Sequence, residues 1–195
     1  MATVTALRAR GARVAVELDG RPWRALSVAA VVEAGLAVGS PLDRGRARAL
    51  AQIIRRERAT AVAVKALARR ERSRAELDER LAHAGVRDAE RRETLDRATR
   101  AGLVDDARFA AARARLLAER GAGDALVLAD LVRHGVDDVV ARAAVSELVP
   151  EADRAARIVE ARGRSARTLR YLAARGFAEE SLDDLIAELG DRALP

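Results

Sequence analysis

Three segments of this chain close in the same way: a Leu, three further residues, a Gly, then a large apolar side chain. They are Leu81 to Gly85-Val86, Leu131 to Gly135-Val136 and Leu172 to Gly176-Phe177, with Gly-to-Gly spacings of 50 and 41 residues. Self-similarity at that period predicts a stacked helical array. Units of such a size cannot bury a core alone, so neighbours must stack, and arrays of this kind bind macromolecules on extended surfaces. Only four aromatic residues are present, Trp23, Phe109, Tyr171 and Phe177, so the core must come from Ala, Leu, Val and Ile.

The helical units are bounded by local chemistry. Ser73-Arg-Ala-Glu76 reads as a capping box, in which hydroxyl and carboxylate satisfy each other's backbone donors. Gly85, Gly102, Gly135 and Gly176 fit positions just past a helix, where the chain turns left-handed. Asp88, Asp105, Asp137 and Ser181 sit near new helix starts. Helices are expected near 61–72, 74–84 and 88–101, near 106–120, 124–134 and 137–148, and near 151–162, 165–175 and 178–189. In the last of these, Leu182, Leu185, Ile186 and Leu189 recur at helical spacing.

The first 27 residues read differently. Val14, Val16 and Leu18 alternate with period two, as does a run from Val4, with Gly11 between them. Asp19-Gly20 signals a hairpin turn, since both central residues of a type I′ turn need positive φ. A third run spans Trp23 to Leu26. Ser27 reads as the cap of a short helix from Val28 to Ala34 ended by Gly35, and Gly39-Ser-Pro41 as a loop.

The resulting fold class is mainly α. Three tandem three-helix repeats form an elongated curved array, preceded by a small N-terminal β-hairpin/α segment. The segments are 1–42 (hairpin and short helix), 43–60 (a basic linking helix), 61–102, 103–149 and 150–195 (the three repeats).

Charge is unevenly placed. Residues 1–72 carry 15 basic and 6 acidic side chains, while 73–195 carry 21 and 24. That asymmetry predicts a polyanion or an acidic protein surface as partner. From Arg44 to Arg72 there are ten basic and two acidic residues. On a continuous helix, Arg44, Arg48, Arg55, Arg58, Lys65 and Arg69 fall within about 100° of arc, with Leu50, Ile53, Val64 and Leu67 opposite. This is a candidate cationic stripe for phosphates or an acidic surface; its plain alternative is a solvated face with Arg stems covering apolar neighbours. Arg69, Arg70, Arg72 and Arg74 flank the capping box, where Glu71, Glu76 and Asp78 are possible ion-pair partners.

Chemistry is poorly supported. There is no Cys, and no G-x-x-x-x-G-K-[ST] phosphate loop. The six Ser read as caps or loop residues. His83 and His134 stand just before repeat glycines, where a helix C-terminus favours a cationic ring, and no further ligand type clusters with them. Asp105-Asp106 reads as capping rather than metal binding. Trp23 could stack on a base, though packing against the next helix is the plainer reading. No cofactor and no enzymatic activity are expected. The longest uncharged run, Ala34 to Leu42, is nine residues, far below the ~20 a spanning helix needs. A cytoplasmic, monomeric protein without membrane contact is expected.

Three motifs in order resemble one family. Lys65-Ala-Leu-Ala-Arg69-Arg70-Glu-Arg72-Ser73-Arg74-Ala-Glu76-Leu77, running on to Leu81 and Gly85, resembles the first-repeat signature of the RecX regulatory proteins. Gly102-Leu-Val-Asp105-Asp106-Ala-Arg-Phe109-Ala110 is similar to that family's G-hydrophobic-hydrophobic-D-D-x-x-F-A motif, and Leu172-Ala-Ala-Arg-Gly176-Phe177 to its final repeat. The hairpin around Asp19-Gly20 resembles the extension of longer members. At Gly121-Ala-Gly123-Asp124-Ala-Leu126-Val127 the chain departs from the aromatic, Gly-Pro and basic residues of many members. The resemblance implies a non-enzymatic modulator of the RecA recombinase that lowers strand exchange and co-protease activity, either by lying in the groove of the RecA–DNA filament or by capping or destabilising it. The charge pattern makes Arg44, Arg48, Arg55, Arg58, Lys65, Arg69, Arg70, Arg72 and Arg74 the candidate contacts to the filament or to DNA, and the resemblance favours a partner contact for the last four. DNA contact is expected to be secondary, because few aromatics are available for base stacking. Direct DNA binding through helices 74–84 and 88–101, in the manner of a helix-turn-helix, is the alternative, as is a helical scaffold for another protein.

Overall fold

The structure, a computed structural model, describes residues 1–183, 186 and 187. The chain is mainly helical with a small N-terminal sheet. It forms two compact units, one of residues 1–66 with 80–94, the other of 67–79 with 95 onward.

The first unit begins with an antiparallel sheet. Strands β1 (Ala2–Arg10), β2 (Arg13–Leu18), β3 (Arg21–Ser27) and β4 (Pro41–Leu42) are ordered β3-β2-β1-β4. Asp19 and Gly20 adopt φ of 48° and 77°, the left-handed pair that a two-residue hairpin requires. Ser27 caps helix α1 (Val28–Glu33), its hydroxyl accepting from the Ala30 N–H at 2.8 Å. Strand β4 lies where the sequence reads as a loop: Pro41 and Leu42 pair with Thr3 and Ala2. Two residues are too few to show a period, and Pro is tolerated only at an edge such as this.

Val4, Val14, Val16 and Leu26 from the sheet, Ala30 and Val31 from α1, and Leu36 form one core with Leu50 and Ile53 of helix α2 (Arg44–Leu67). Helix α2 runs unbroken through residue 60 and stops at Leu67, five residues short of the expected 72. Its buried face also turns along its length. Leu50 and Ile53 are buried early, Ala59, Ala63 and Ala66 later. Val64, placed by its angle on the apolar side, is therefore 56% exposed.

Helices α3 (Arg74–His83) and α4 (Asp88–Arg100) contribute to both units. In the second unit, α5 (Asp106–Glu119), α6 (Asp124–Arg133) and α7 (Asp138–Ser146) pack around Phe109, Ala110, Ala114, Val127, Leu131 and Val136. Asp105 and Asp137 cap α5 and α7 as their positions predict. Helices α8 (Glu151–Arg162) and α9 (Ala166–Ala174) with a 3-10 turn (Glu179–Leu182) enclose Ala155, Val159, Leu172, Phe177 and Leu182. A continuous helix over 178–189 is not formed at its start, where the 3-10 turn lies. Leu185 and Leu189 lie outside the described residues.

Candidate functional site

The stripe on α2 is interrupted. At its N-terminal end Arg44 and Arg48 are exposed, and near its C-terminal end so is Lys65; none has an ion partner among the described residues. In the middle, Arg55 donates Nε–H to the buried Glu90 carboxylate at 2.5 Å. That hydrogen bond, opposed by burial, holds the Glu90 carboxyl below the usual carboxylate range. Arg58 donates to the Ala84 carbonyl at 2.8 Å. Both central cations thus tie α2 to residues 84–90 of its own unit, and the stripe presents its two ends rather than one continuous face.

Arg69, Arg70 and Arg72 follow the end of α2 and leave its helical register. Arg69 is exposed and has no ion partner among the described residues. Arg70 makes a two-pronged pair with Glu76, at 2.8 and 2.7 Å. Arg72 is half-buried. Arg74 reaches Asp96 at 2.6 Å and the Thr99 hydroxyl at 3.0 Å. Of the nine residues chosen from sequence, Arg55, Arg58, Arg70 and Arg74 therefore hold the fold.

The capping box forms in part. The Ser73 hydroxyl accepts from the Glu76 N–H at 3.1 Å and donates to the His134 carbonyl at 2.6 Å. The Glu76 carboxylate turns instead to Arg70 and to His134 Nδ1, the latter at 3.0 Å. Beyond His134 lies Asp130, 5% exposed, which accepts two bonds from Arg113 at 2.6 and 3.1 Å and one from Arg133. Its carboxyl is held low, chiefly by the Arg113 hydrogen bond against the opposing effect of burial. Burial pushes Glu76 up, but the bond to Arg70 and the nearby cationic groups outweigh it and leave it low.

His134 occupies the expected C-cap of α6, yet its ring meets two carboxylates and the edge of Phe109, at a centroid distance of 5.8 Å. This network joins residues up to 61 positions apart and was missed in the sequence because no periodicity relates them. Asp105 caps its own helix, and Asp106 accepts from the Arg74 N–H at 2.7 Å, so the paired carboxylates serve two helix starts. Among the described residues no group of three or more His, Cys, Asp or Glu is placed to hold a metal ion, and no helix is long and apolar enough to cross a membrane.

Elsewhere in the second unit, Arg154 is buried. It donates to the Ala122 carbonyl at 2.6 Å, to the Val149 carbonyl at 2.9 Å and to Asp124. A cleft of about 400 Å³ beside it is lined by Arg115, Glu119, Glu147 and Arg157, charges of both signs.

A curated relative, the regulatory protein RecX of Mycolicibacterium smegmatis (strain ATCC 700084 / mc(2)155), is 36% identical over 102 residues, 51% of this chain. The match spans about half of that relative, 54% of its length. The crystal structure of a regulatory protein RecX superposes with a TM-score of 0.77, covering 96% of this chain and all of that one at 17% identity. The chain is RecX-like. RecX from Lactobacillus salivarius gives a TM-score of 0.62 over 71% of this chain and 98% of its own, also at 17% identity. No family profile matches the sequence. A RecX-type architecture thus accounts for the helical chain and for the sheet before it, within the 96% superposed.

Proposed function

We propose that this RecX-like chain is a non-enzymatic regulator that binds the RecA–DNA filament and lowers its recombinase and co-protease activities. The observation that carries the reading is RecX likeness in two independent forms, sequence identity over half the chain and shared fold over 96% of it. RecA as the partner follows from the resemblance of the repeat motifs. The protein works as a soluble monomer in the cytoplasm, its three-helix groups acting as tandem repeats of one binding array. Arg44, Arg48, Lys65 and Arg69 contact the filament. They are exposed and have no ion partners among the described residues, so an acidic or phosphate surface can take them without breaking the fold.

The deciding measurement is strand exchange by the cognate RecA with and without this protein. Inhibition at stoichiometric amounts is expected, weakened when Arg44, Arg48 and Lys65 are replaced by Glu, and weakened by added salt. No effect of the wild-type protein at stoichiometric amounts refutes the reading.

A further inference from the structure

We propose that the outer face and free edge of the N-terminal sheet form a binding site for single-stranded nucleic acid, with Trp23 stacking on a base and arginines holding the backbone. The pairing register sorts the sheet's two faces. Val14 pairs with Leu26 and Ala9, and Val16 with Leu7 and Arg24, which puts these side chains on the core side, Arg24 standing exposed at the free edge. Arg8 pairs with Ala15, Arg10 with Arg13, and Ala15 with Ala25. These residues share the opposite face, a low floor of alanines flanked by three arginines. Arg8, Arg10, Arg13 and Ala25 are exposed.

Strand β3 is the free edge of the sheet, and its residues Arg21 to Ala25 are all exposed. A register shift between Val16 and Glu17 puts an irregularity opposite Trp23. Trp23 is 38% exposed, and the Arg24 guanidinium lies over its ring at 4.6 Å. Trp23 does not pack into the core between sheet and helices, the plainer expectation from sequence; it is absent from that cluster.

The charge balance favours a polyanion. The carboxylate on these strands and the one in the turn are both engaged: Glu17 pairs with Arg8 at 3.4 Å, and Asp19 accepts from the Thr3 N–H at 2.8 Å. Arg10, Arg13 and Arg21 have no ion partner among the described residues.

An edge strand needs protection against pairing with another chain, and charged residues and Pro supply it. Arg21 and Pro22 meet that need. An exposed Trp does the reverse, since it adds apolar surface at an unprotected edge. What a Trp with a stacked guanidinium does supply is a π surface beside positive charge, the combination that binds single strands without sequence preference. A duplex keeps its bases stacked inside and gives Trp23 nothing to stack on.

Trp23 is the only Trp in the chain, so tryptophan fluorescence reports on this position alone. The full-length protein is titrated with a dT oligonucleotide of about 15 nucleotides, with no recombinase present. The outcome is therefore separable from that of the filament reading. Quenching is expected, with weaker quenching by a duplex of equal length. In anisotropy with a labelled oligonucleotide, Trp23→Ala weakens binding about tenfold, and Trp23→Phe retains part of it. Arg10→Ala with Arg13→Ala lowers the salt slope by about 0.7 for each phosphate no longer neutralised. Arg44→Ala with Arg48→Ala on α2 weakens oligonucleotide binding less than Arg10→Ala with Arg13→Ala does. Each variant is checked for wild-type circular dichroism. Absence of quenching by the oligonucleotide overturns the proposal, as does binding that depends on α2 and not on the sheet.

Discussion

Two places in the second unit solve one packing problem in different ways. The start of α3 rests on the glycine that ends α6, and the start of α6 rests on the glycine that ends α9. At the first, the Ser73 hydroxyl donates to the carbonyl of His134, the residue before Gly135, at 2.6 Å. At the second, the backbone N–H of Gly123 itself donates to the carbonyl of Arg175, the residue before Gly176, at 2.8 Å. A side chain spans the first contact and main chain makes the second, so the second is closer. A Cβ on Gly123 would stand 2.2 Å from the Gly176 carbonyl oxygen. The first contact has an ion network beside it, through Glu76, His134 and Asp130. The second has main-chain acceptors taken by arginines, Arg175 donating to the Gly121 and Arg120 carbonyls at 3.0 and 2.6 Å. Gly85 ends α3 with the same left-handed turn, yet a methyl added to it would meet nothing within 4 Å. The same glycine is thus a turn in one place and a docking surface in two.

Four substitutions test this contrast, and the largest effects belong to the main-chain contact. Gly123→Ala places a methyl against backbone that cannot move aside and should cost at least ~3 kcal/mol in urea unfolding. Arg154→Ala should cost ~3–5 kcal/mol, because it strips two carbonyls and Asp124 of a buried partner. Gly135→Ala should cost less. Its added Cβ clashes with the Ala75 methyl at 2.3 Å and touches the Ala75 Cα at 3.8 Å. Because the clash is with a methyl, Ala75→Gly in the same chain should relieve most of it, leaving ~1 kcal/mol for the left-handed backbone. Gly85→Ala should show that backbone cost alone, ~1 kcal/mol. Equal losses at Gly85 and Gly123 would show that docking adds nothing.

Acid separates the two contacts by another route. Glu76 and Asp130 both titrate below their usual range in the folded protein. Their stabilisation is therefore fully present above the unfolded carboxylate values near 4, and is lost as pH falls through the lower folded values. Stability measured against pH should drop more steeply there for the wild type than for a Glu76→Gln variant. Parallel curves would place the network's contribution elsewhere.

Much of the fold was legible in the residue order because its causes are local. A cap needs a side chain within three residues of the N–H it serves, as at Ser27, Asp105 and Asp137. A hairpin turn needs a positive-φ pair, as at Asp19-Gly20, and a core helix needs apolar residues at its own period. The candidate site was less legible. Arg55, Arg58 and Lys65 look alike along α2, but only the fold brings Glu90 and the Ala84 carbonyl to the first two and leaves Lys65 exposed. His134 shows the same limit, since its position at a helix end predicts capping while Glu76, 58 residues away, sets what its ring meets.

Helix starts, turns and the left-handed glycines were determined by neighbours in the chain, where a wrong residue is felt within one turn of backbone. Which arginines are already engaged, which glycine bears a neighbouring helix and where Trp23 stands were decided by tertiary contacts. Charge pairing and close packing depend on distance in space, and sequence separation carries no record of it.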